Sequence, residues 1–469
     1  MKHILLSAAA ATIAALALPA SAQSAQSAQE RLDTRYDRAL AAGYKALMLC
    51  SAIANAEANG AARTPESVHE WELIGIQEPL DAIVRDLPYE IVRAEAGHIR
   101  HVLVDWADDM PPRIARHDSG FGCVNLPIGW DPARLRPELD VPPSDPLIAQ
   151  RWGSERESRV LAERLGSVTQ RAMDGGYGAG ARTTAVLIKQ GNFVVETYAE
   201  GFSAFTPQRT WSVAKSFAAT LVGAAIQNGE TCFDDRMPTP LTPGAADPRN
   251  EVTIDHLLRM ASGRYQDTPG NRTTPLYWGG TTVDERAANW PLVHQPGTVF
   301  RYANNDTLMA VQAIECSFEE NPPPAFFEKL GMTSTVAETD WQGNYILSSQ
   351  VWSTARDFAT LGELYLNDGV WNGERLLPEG WRQYVSDPSG PQPEGTNRGY
   401  GAGWWTFRRP EGNAFEGIPD DAFYAAGRRG QYIVVVPSRG MVIVRRGEDG
   451  TGNRFNIAGF TRDVLAAAD

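Results

Sequence analysis

A serine and a lysine three residues apart stand at the start of an apolar segment, and this pair could carry acyl-transfer chemistry. The pattern S-x-x-K occurs once in the chain, as Ser212 and Lys215. Residues 213–226 are apolar and rich in alanine, contain no proline, and have Lys215 as their only charge, which predicts a buried helix. Ser212 then lies at the first turn, with Lys215 one turn further on the same face.

Each member of the pair has a chemical reason to be there. A serine hydroxyl is a weak nucleophile until a neighbouring group takes its proton. Burial disfavours the charged form of an amine, so Lys215 could be that proton acceptor. The free N–H groups at a helix start can stabilise a developing oxyanion. Chance matches to S-x-x-K are common, but few of them open an apolar helix, and a buried lysine without a partner is costly.

A third group is needed to pass the proton to the leaving atom. Tyr302 follows a turn and short extended segment and precedes a helix, so it could act as general acid and base, helped by a cation that lowers its pKa. Asn304 could hydrogen-bond both Lys215 and a substrate amide. The same Y-x-N spacing recurs at Tyr365 and Asn367, but there it ends a helix, and we assign it to structure.

S-x-x-K at a helix start, followed by Y-x-N about ninety residues later, resembles the serine β-lactamase and penicillin-binding-protein superfamily. The class C β-lactamase-like branch, which includes esterases, D-aminopeptidases and 6-aminohexanoate-dimer hydrolases, is the most similar. Segments 255–263, 353–359 and 430–437 match as well, and the resemblance covers about residues 155–469. It implies an acyl-enzyme on Ser212, activated by Lys215.

The resemblance also implies roles for other groups. In one motif, however, this sequence differs from the family pattern. Tyr302 would relay the proton to the leaving group and then activate water, and the N–H of Ser212 would form half of an oxyanion hole. The family's third motif, K-T-G or H-x-G, occurs nowhere in the chain, and A-A-G-R at residues 425–428 takes its place. Gly427 and Arg428 would border the substrate there, with the N–H of Arg428 completing the oxyanion hole.

The missing lysine lowers our expectation of β-lactam hydrolysis. Arg428 or Arg429 could supply the charge instead. Tyr277, Trp278 and Trp290 lie in a long loop, which favours a pocket wall, although any one of them could equally fill the core.

The fold class that these patterns predict is α/β of the α+β type. An antiparallel sheet is flanked by helices and joined to an all-helical subdomain, as in β-lactamases and transpeptidases, with a small N-terminal accessory unit. The expected strands of the sheet are 184–188, 193–198, 403–407, 432–436 and 441–446. Between the early and late strands, residues 229–390 alternate helices with long loops.

Three segments are predicted along the chain. Residues 1–22 have the charge, apolar run and A-S-A end of a secretory signal peptide. Residues 23–150 form an accessory region and linker, and residues 151–469 the hydrolase domain. The mature protein should be exported, to a periplasm or outside the cell, with no stable membrane anchor, because no later segment approaches a transmembrane length.

The formal charge of −14 argues against nucleic acid as a partner. No cofactor and no metal site are expected, since no C-x-x-C occurs. Four cysteines in an exported chain predict disulfides. We expect Cys50 to pair with Cys123 and Cys232 with Cys316, one bridge in each region, and the sequence leaves the other pairings open.

Two functions follow from these residues. The first is an exported serine hydrolase that cleaves a small ester or amide, of linear-amide or D-amino-acid type. The alternative is a non-catalytic ligand- or cell-wall-binding module that retains the fold, which the missing third motif favours. The sequence identifies neither the substrate nor the oligomeric state.

Overall fold

The structure, a computed structural model, describes residues 26–135, 156–157, 159–230, 246–265, 273–287 and 290–469. The predicted signal peptide and most of the predicted linker lie outside these residues. The chain divides into two units, Met1–Tyr36 and Asp37–Asp469. In the first, the structure describes only 26–36, which are exposed. The predicted division at residues 150 and 151 falls outside the described residues and stays a prediction.

The N-terminal region consists of three helices and a small sheet. These are α1 (Ala28–Ala58), α2 (Pro65–Trp71), α3 (Leu80–Val84), β1 (Tyr89–Arg93), β2 (Ile99–Val104), β3 (Arg113–Asp118) and β4 (Gly122–Asn125). The four strands pair antiparallel in chain order. Strands β3 and β4 thus form a hairpin.

Helix α1 is long and apolar enough, by length and composition, to cross a membrane. Its residues 39–56 are all buried within the protein. Complete burial of the apolar stretch is the pattern of a core helix. The prediction that no later segment reaches this length is therefore wrong, and burial explains the apolar run.

One of the two predicted disulfides is present. Cys50 in α1 is bonded to Cys123 in β4, with an S–S distance of 1.98 Å. Cys316 is exposed, in a 3-10 turn at Glu315–Glu319. Its expected partner, Cys232, lies outside the described residues, so that pairing stays a prediction.

The rest of the chain alternates strands and helices. Up to residue 330 these are β5 (Arg156–Glu157), α4 (Arg159–Met173), β6 (Thr183–Gln190), β7 (Phe193–Tyr198), β8 (Gln208–Arg209), α5 (Ala214–Gln227), α6 (Ile254–Leu258), α7 (Thr274–Gly279), α8 (Val283–Ala287), α9 (Asn304–Gln312) and α10 (Pro323–Leu330). Beyond it follow β9 (Val336–Ala337), β10 (Val351–Ser353), α11 (Ala355–Leu366), β11 (Val370–Trp371), β12 (Glu374–Arg375), α12 (Trp381–Ser386), β13 (Gly399–Tyr400), β14 (Trp405–Thr406), β15 (Arg408–Arg409), β16 (Gly412–Asn413), β17 (Phe423–Gly427), β18 (Gln431–Val436), β19 (Met441–Gly447) and α13 (Ile457–Ala468).

The main sheet has the order β13-β14-β17-β18-β19-β6-β7-β5 and is antiparallel except where β5 meets β7. Early and late strands thus meet at β6 and β19, which confirms the predicted antiparallel sheet. Successive side chains of β18 point to opposite faces of the sheet. Ile433 and Val435 join the core cluster that includes α11, whereas Val434 and Val436 join the cluster that includes α4 and α13.

The disulfide closes a long loop, so its removal should destabilise the protein. Cys50 and Cys123 are 73 residues apart, and chain-entropy arguments give about 4 kcal/mol for a loop of this length. We expect the Cys50→Ala, Cys123→Ala double variant to unfold at lower urea concentration than the wild type. A Ser167→Ala variant, at an exposed position of α4, is the control. An unchanged unfolding midpoint in the double variant would contradict the prediction.

Candidate active site

The candidate nucleophile Ser212 lies in a single 3-10 turn, Trp211–Val213, between β8 and α5. Trp211 has a φ of 52°, in a left-handed region that costs a non-glycine residue about 1–2 kcal/mol. Packing holds it there, because the Arg209 guanidinium lies 4.0 Å from the Trp211 ring centroid and the Trp278 ring lies 6.3 Å away. The turn leaves Ser212 partly exposed between two buried neighbours.

The Lys215 amine is buried among uncharged oxygens. Its Nζ donates to Asn304 Oδ1 (2.6 Å) and to the Ser348 carbonyl (2.9 Å), and lies 3.4 Å from Ser212 Oγ. Burial lowers the pKa of Lys215 from 10.5 to about 7. At neutral pH a substantial fraction of this amine is therefore unprotonated and can accept a proton.

Tyr302 reaches the same serine. Its ring centroid is 5.0 Å from Lys215 Nζ, and a hydrogen-bonding interaction with Ser212 acts to lower the pKa of the phenol. The phenol packs against Tyr400 (5.9 Å) and Trp405 (5.5 Å). Burial raises the pKa of Tyr302 far above its ordinary value, and the bond to Ser212 only partly offsets this. The expectation of a cation-lowered pKa is wrong, and the group is a neutral phenol.

Asn304 is the first residue of α9, and both the oxygen and the nitrogen of its side-chain amide form hydrogen bonds. Its Oδ1 accepts from Lys215, as the sequence predicted, and its Nδ2 donates to Thr273 Oγ1 (2.9 Å). The side chain also lines the cavity beside the serine. Tyr365, of the second Y-x-N, is buried in the core with its hydroxyl 2.9 Å from Thr220 Oγ1.

Strand β17 ends against the turn that carries the serine. A Cβ added to Gly427 would lie 2.3 Å from the Thr210 carbonyl oxygen, so only glycine permits this approach. Gly427 pairs with Gln431 across a hairpin whose loop is residues 428–430. Arg428, the next residue, therefore lies at the cavity next to the Ser212 turn.

The two arginines of this loop have different environments. Arg429, with a φ of 61°, forms a buried ion pair with Glu448 and donates to the Ile74 carbonyl (2.9 Å). Both arginines line the cavity, but Arg428 donates to the uncharged Gln77 Oε1 (2.9 Å). Of the two candidates for the missing cation, Arg428 is the one that no carboxylate among the described residues neutralises.

A cavity of about 440 Å³ opens beside Ser212, Asn304, Gly427 and Arg428. Tyr277 and Trp278 line it, as expected from the sequence, whereas Trp290 packs on Tyr265 at 6.3 Å and donates to the Arg286 carbonyl. The sequence analysis did not identify some of the residues that line the cavity, because they belong to no motif and come from distant parts of the chain. They are Gln77, Thr274, Ser349, Arg398, Gly430, Tyr432 and residues 449–455.

A family model for beta-lactamases matches residues 166–467. The chain belongs to the beta-lactamase family. Together with the expected sheet and helices, this membership makes the protein a serine hydrolase of the esterase and amidase type. Among curated proteins, none matches this beta-lactamase-family chain significantly.

Solved structures share the fold of this beta-lactamase-family protein. One, assigned as a 6-aminohexanoate-dimer hydrolase from Bacillus anthracis, is 21% identical, covers 63% of this chain and 80% of its own, and has a TM-score of 0.52. A protein from Bacteroides dorei assigned as a beta-lactamase has 20% identity, 66% and 98% coverage and a TM-score of 0.52. EstCE1, a hydrolase with promiscuous acyltransferase activity, has 18% identity, the same coverage and a TM-score of 0.51.

The buried lysine should make stability depend on pH. Because the pKa of Lys215 is about 7 in the folded protein and 10.5 in the reference state, the unfolded chain binds the proton more tightly between these values. Lys215 therefore contributes stability that is fully present above pH 10.5 and lost as pH falls towards 7, by up to about 1.4 kcal/mol per pH unit.

We expect the stability difference between wild type and Lys215→Met to rise as pH increases from 7 to 10, measured by urea unfolding. Lys329→Met, at an exposed lysine paired with Glu374, is the control and should show no such rise. A pH-independent difference at Lys215 would refute the lowered pKa.

Proposed function

We propose that the protein is an exported serine hydrolase that cleaves a small ester or amide through an acyl-enzyme on Ser212. The observation that carries this proposal is the Lys215 amine, buried and 3.4 Å from Ser212 Oγ. Distances of this kind often shorten when substrate binds. Beta-lactamase family membership supports the same class of chemistry.

In the proposed acylation, Ser212 Oγ attacks the substrate carbonyl and unprotonated Lys215 takes its proton. The N–H groups of Ser212 and Arg428 stabilise the oxyanion, which the close approach of Gly427 to Thr210 supports. Neutral Tyr302 gives its proton to the leaving atom and regains one from Lys215. A water activated by the same groups then releases the acyl group.

The proposed substrate is an ester or a linear amide rather than a β-lactam. The strand end that carries the lysine of K-T-G in the family has Ala425 and Ala426 before Gly427. The similar structures assigned as a 6-aminohexanoate-dimer hydrolase and as a hydrolase with promiscuous acyltransferase activity support this choice. Export, through the signal peptide predicted at 1–22, is part of the proposal, and the disulfide is compatible with it.

The decisive variant is Ser212→Ala. We expect turnover of p-nitrophenyl acetate, short linear amides or D-amino-acid amides to fall by about 10³-fold or more, because the nucleophile is lost. A fluorophosphonate should label the wild type on the peptide that contains Ser212, as located by mass spectrometry. Ser216→Ala, in the same helix but with its hydroxyl on the Gly403 carbonyl, is the control and should remain labelled.

Labelling elsewhere, or equal turnover by wild type and Ser212→Ala, would rule out the assignment. Absence of both labelling and turnover would favour the alternative, a non-catalytic binding module.

The rate should also depend on pH through Lys215. Since only the unprotonated amine accepts the serine proton, and its pKa is about 7, kcat/KM should rise with pH and level off above 8. The profile is measured with a neutral ester, so that substrate ionisation does not contribute. A profile that falls between pH 6 and 8 would contradict a lysine base.

A further inference from the structure

The catalytic cavity carries positive charge that the acylation chemistry does not use. Arg398, Arg428 and Arg454 all line it, although the chain as a whole has a formal charge of −14. Among the residues that the structure describes, none of the three forms an ion pair with a carboxylate. Asp449, an acid in the same lining, is already bound by Arg445 at 2.7 Å in a buried ion pair.

Uncharged groups hold the Arg428 side chain in place. Its Nη1 donates to Gln77 Oε1 (2.9 Å), its Nη2 donates to Thr451 Oγ1 (3.2 Å), and its guanidinium lies 5.9 Å from the Trp211 ring centroid. A guanidinium has five N–H donors in a planar fork, so donors remain for a ligand. A partly buried charge whose partners are neutral is stabilised by an incoming anion.

Gln77 is itself fixed by backbone contacts. The segment before it is held at the Ile74 carbonyl by Arg429 (2.9 Å) and at the Gly75 carbonyl by the Thr451 N–H (2.8 Å). These bonds tie the connection between α2 and α3 to the β17–β18 loop and to the loop after β19. The Gln77 amide therefore has a defined position at the cavity.

Gln77 also lies outside residues 166–467, which the family model matches. The acylation groups lie inside that range. A residue that borders the cavity is thus supplied by the N-terminal region, whose role the sequence left open.

We propose that the N-terminal region completes the substrate site: Gln77 positions the Arg428 guanidinium, which recognises a carboxylate on the ester or amide substrate. This inference rests on the proposed function, because it assigns a substrate class to the same site. Arg428 is the binding group, and Gln77 is a positioning residue. A planar carboxylate suits the guanidinium fork because it can accept two parallel hydrogen bonds.

The sharpest variant is Gln77→Glu, which keeps the shape of the side chain and its acceptor oxygen but places a carboxylate on Arg428. The substrate's carboxylate would then meet an already neutralised guanidinium. Arg428→Gln removes the charge directly. Gln190→Glu makes the same substitution at a β6 residue that donates to the Arg439 carbonyl at the surface, and serves as the matched control.

Two pairs of esters separate the two sides of the scissile bond. Mono-p-nitrophenyl adipate and p-nitrophenyl hexanoate differ only by a carboxylate at the end of the acyl chain. The hexanoate esters of 3-hydroxybenzoate and phenol differ by a carboxylate on the leaving group. The measured quantity is the ratio of kcat/KM for the anionic ester to that for the neutral ester, with KM and kcat determined separately.

We expect the wild type and Gln190→Glu to prefer the anionic member of one pair. Gln77→Glu and Arg428→Gln should lower that preference by about ten- to a hundredfold, mainly through KM. The inference is overturned if the wild type shows no preference in either pair, or if Gln77→Glu leaves the ratio unchanged or reduces kcat equally on both members, as a merely structural role would.

Failure of the proposed function gives a different result. If Ser212 is not labelled and no ester is cleaved, binding of monomethyl adipate and 3-hydroxybenzoate to the Ser212→Ala protein is measured by calorimetry. Binding that Gln77→Glu weakens and Gln190→Glu does not supports carboxylate recognition independently of catalysis. Absence of binding by both anions overturns it.

Discussion

The active site is organised around one buried amine that has no countercharge among the residues the structure describes. Lys215 is surrounded by the Asn304 amide oxygen, the Ser348 carbonyl and the Ser212 hydroxyl. Uncharged oxygens hold the amine in place, whereas a carboxylate would keep it protonated. The apolar composition of α5 suits this requirement, because burial lowers the pKa of Lys215 to about 7, where the amine can serve as a base near neutral pH.

A second constraint brings separate parts of the chain to that amine. The tip of β17 contacts the backbone of Thr210 through Gly427, and Arg429 in the following loop holds the carbonyl of Ile74. The serine turn, the edge of the sheet and the N-terminal region are thus connected through one hairpin. The N-terminal region is also tied to the rest by a buried bond from Ser51 to Glu338 Oε1 (2.5 Å). Displacing the hairpin would change the position of the oxyanion donors and the cavity wall together.

Much of the fold was predictable because its signals are local. Apolar alternation in β6, β7, β18 and β19 and the alanine-rich α5 act over short stretches, and the structure has these elements close to the expected bounds. Strand β17 was missed because F-Y-A-A-G contains two alanines and a glycine and no β-branched residue, so that its pairing with β18, rather than its own propensity, makes it a strand.

The sequence predicts the site residues that belong to motifs, but it does not predict those that only line the cavity. Ser212, Lys215 and Tyr302 have characteristic spacings, and the structure brings their side chains together. Gln77 and Arg398 carry no pattern, since their places in the cavity depend on tertiary packing. The pKa of Tyr302 was predicted in the wrong direction because the sequence does not reveal that the phenol is buried between Tyr400 and Trp405.

Helix α1 has a practical consequence for anyone who trims the protein to its family-matched portion. A fragment of residues 166–467 would retain every acylation group yet lose Gln77 from the cavity rim. It would also uncover the surface where Tyr44 packs on Trp278, with ring centroids 4.5 Å apart. Such a fragment would expose apolar surface and aggregate in solution. Its cavity would also be wider and differently shaped, so a substrate screen performed with it would report the specificity of a different enzyme.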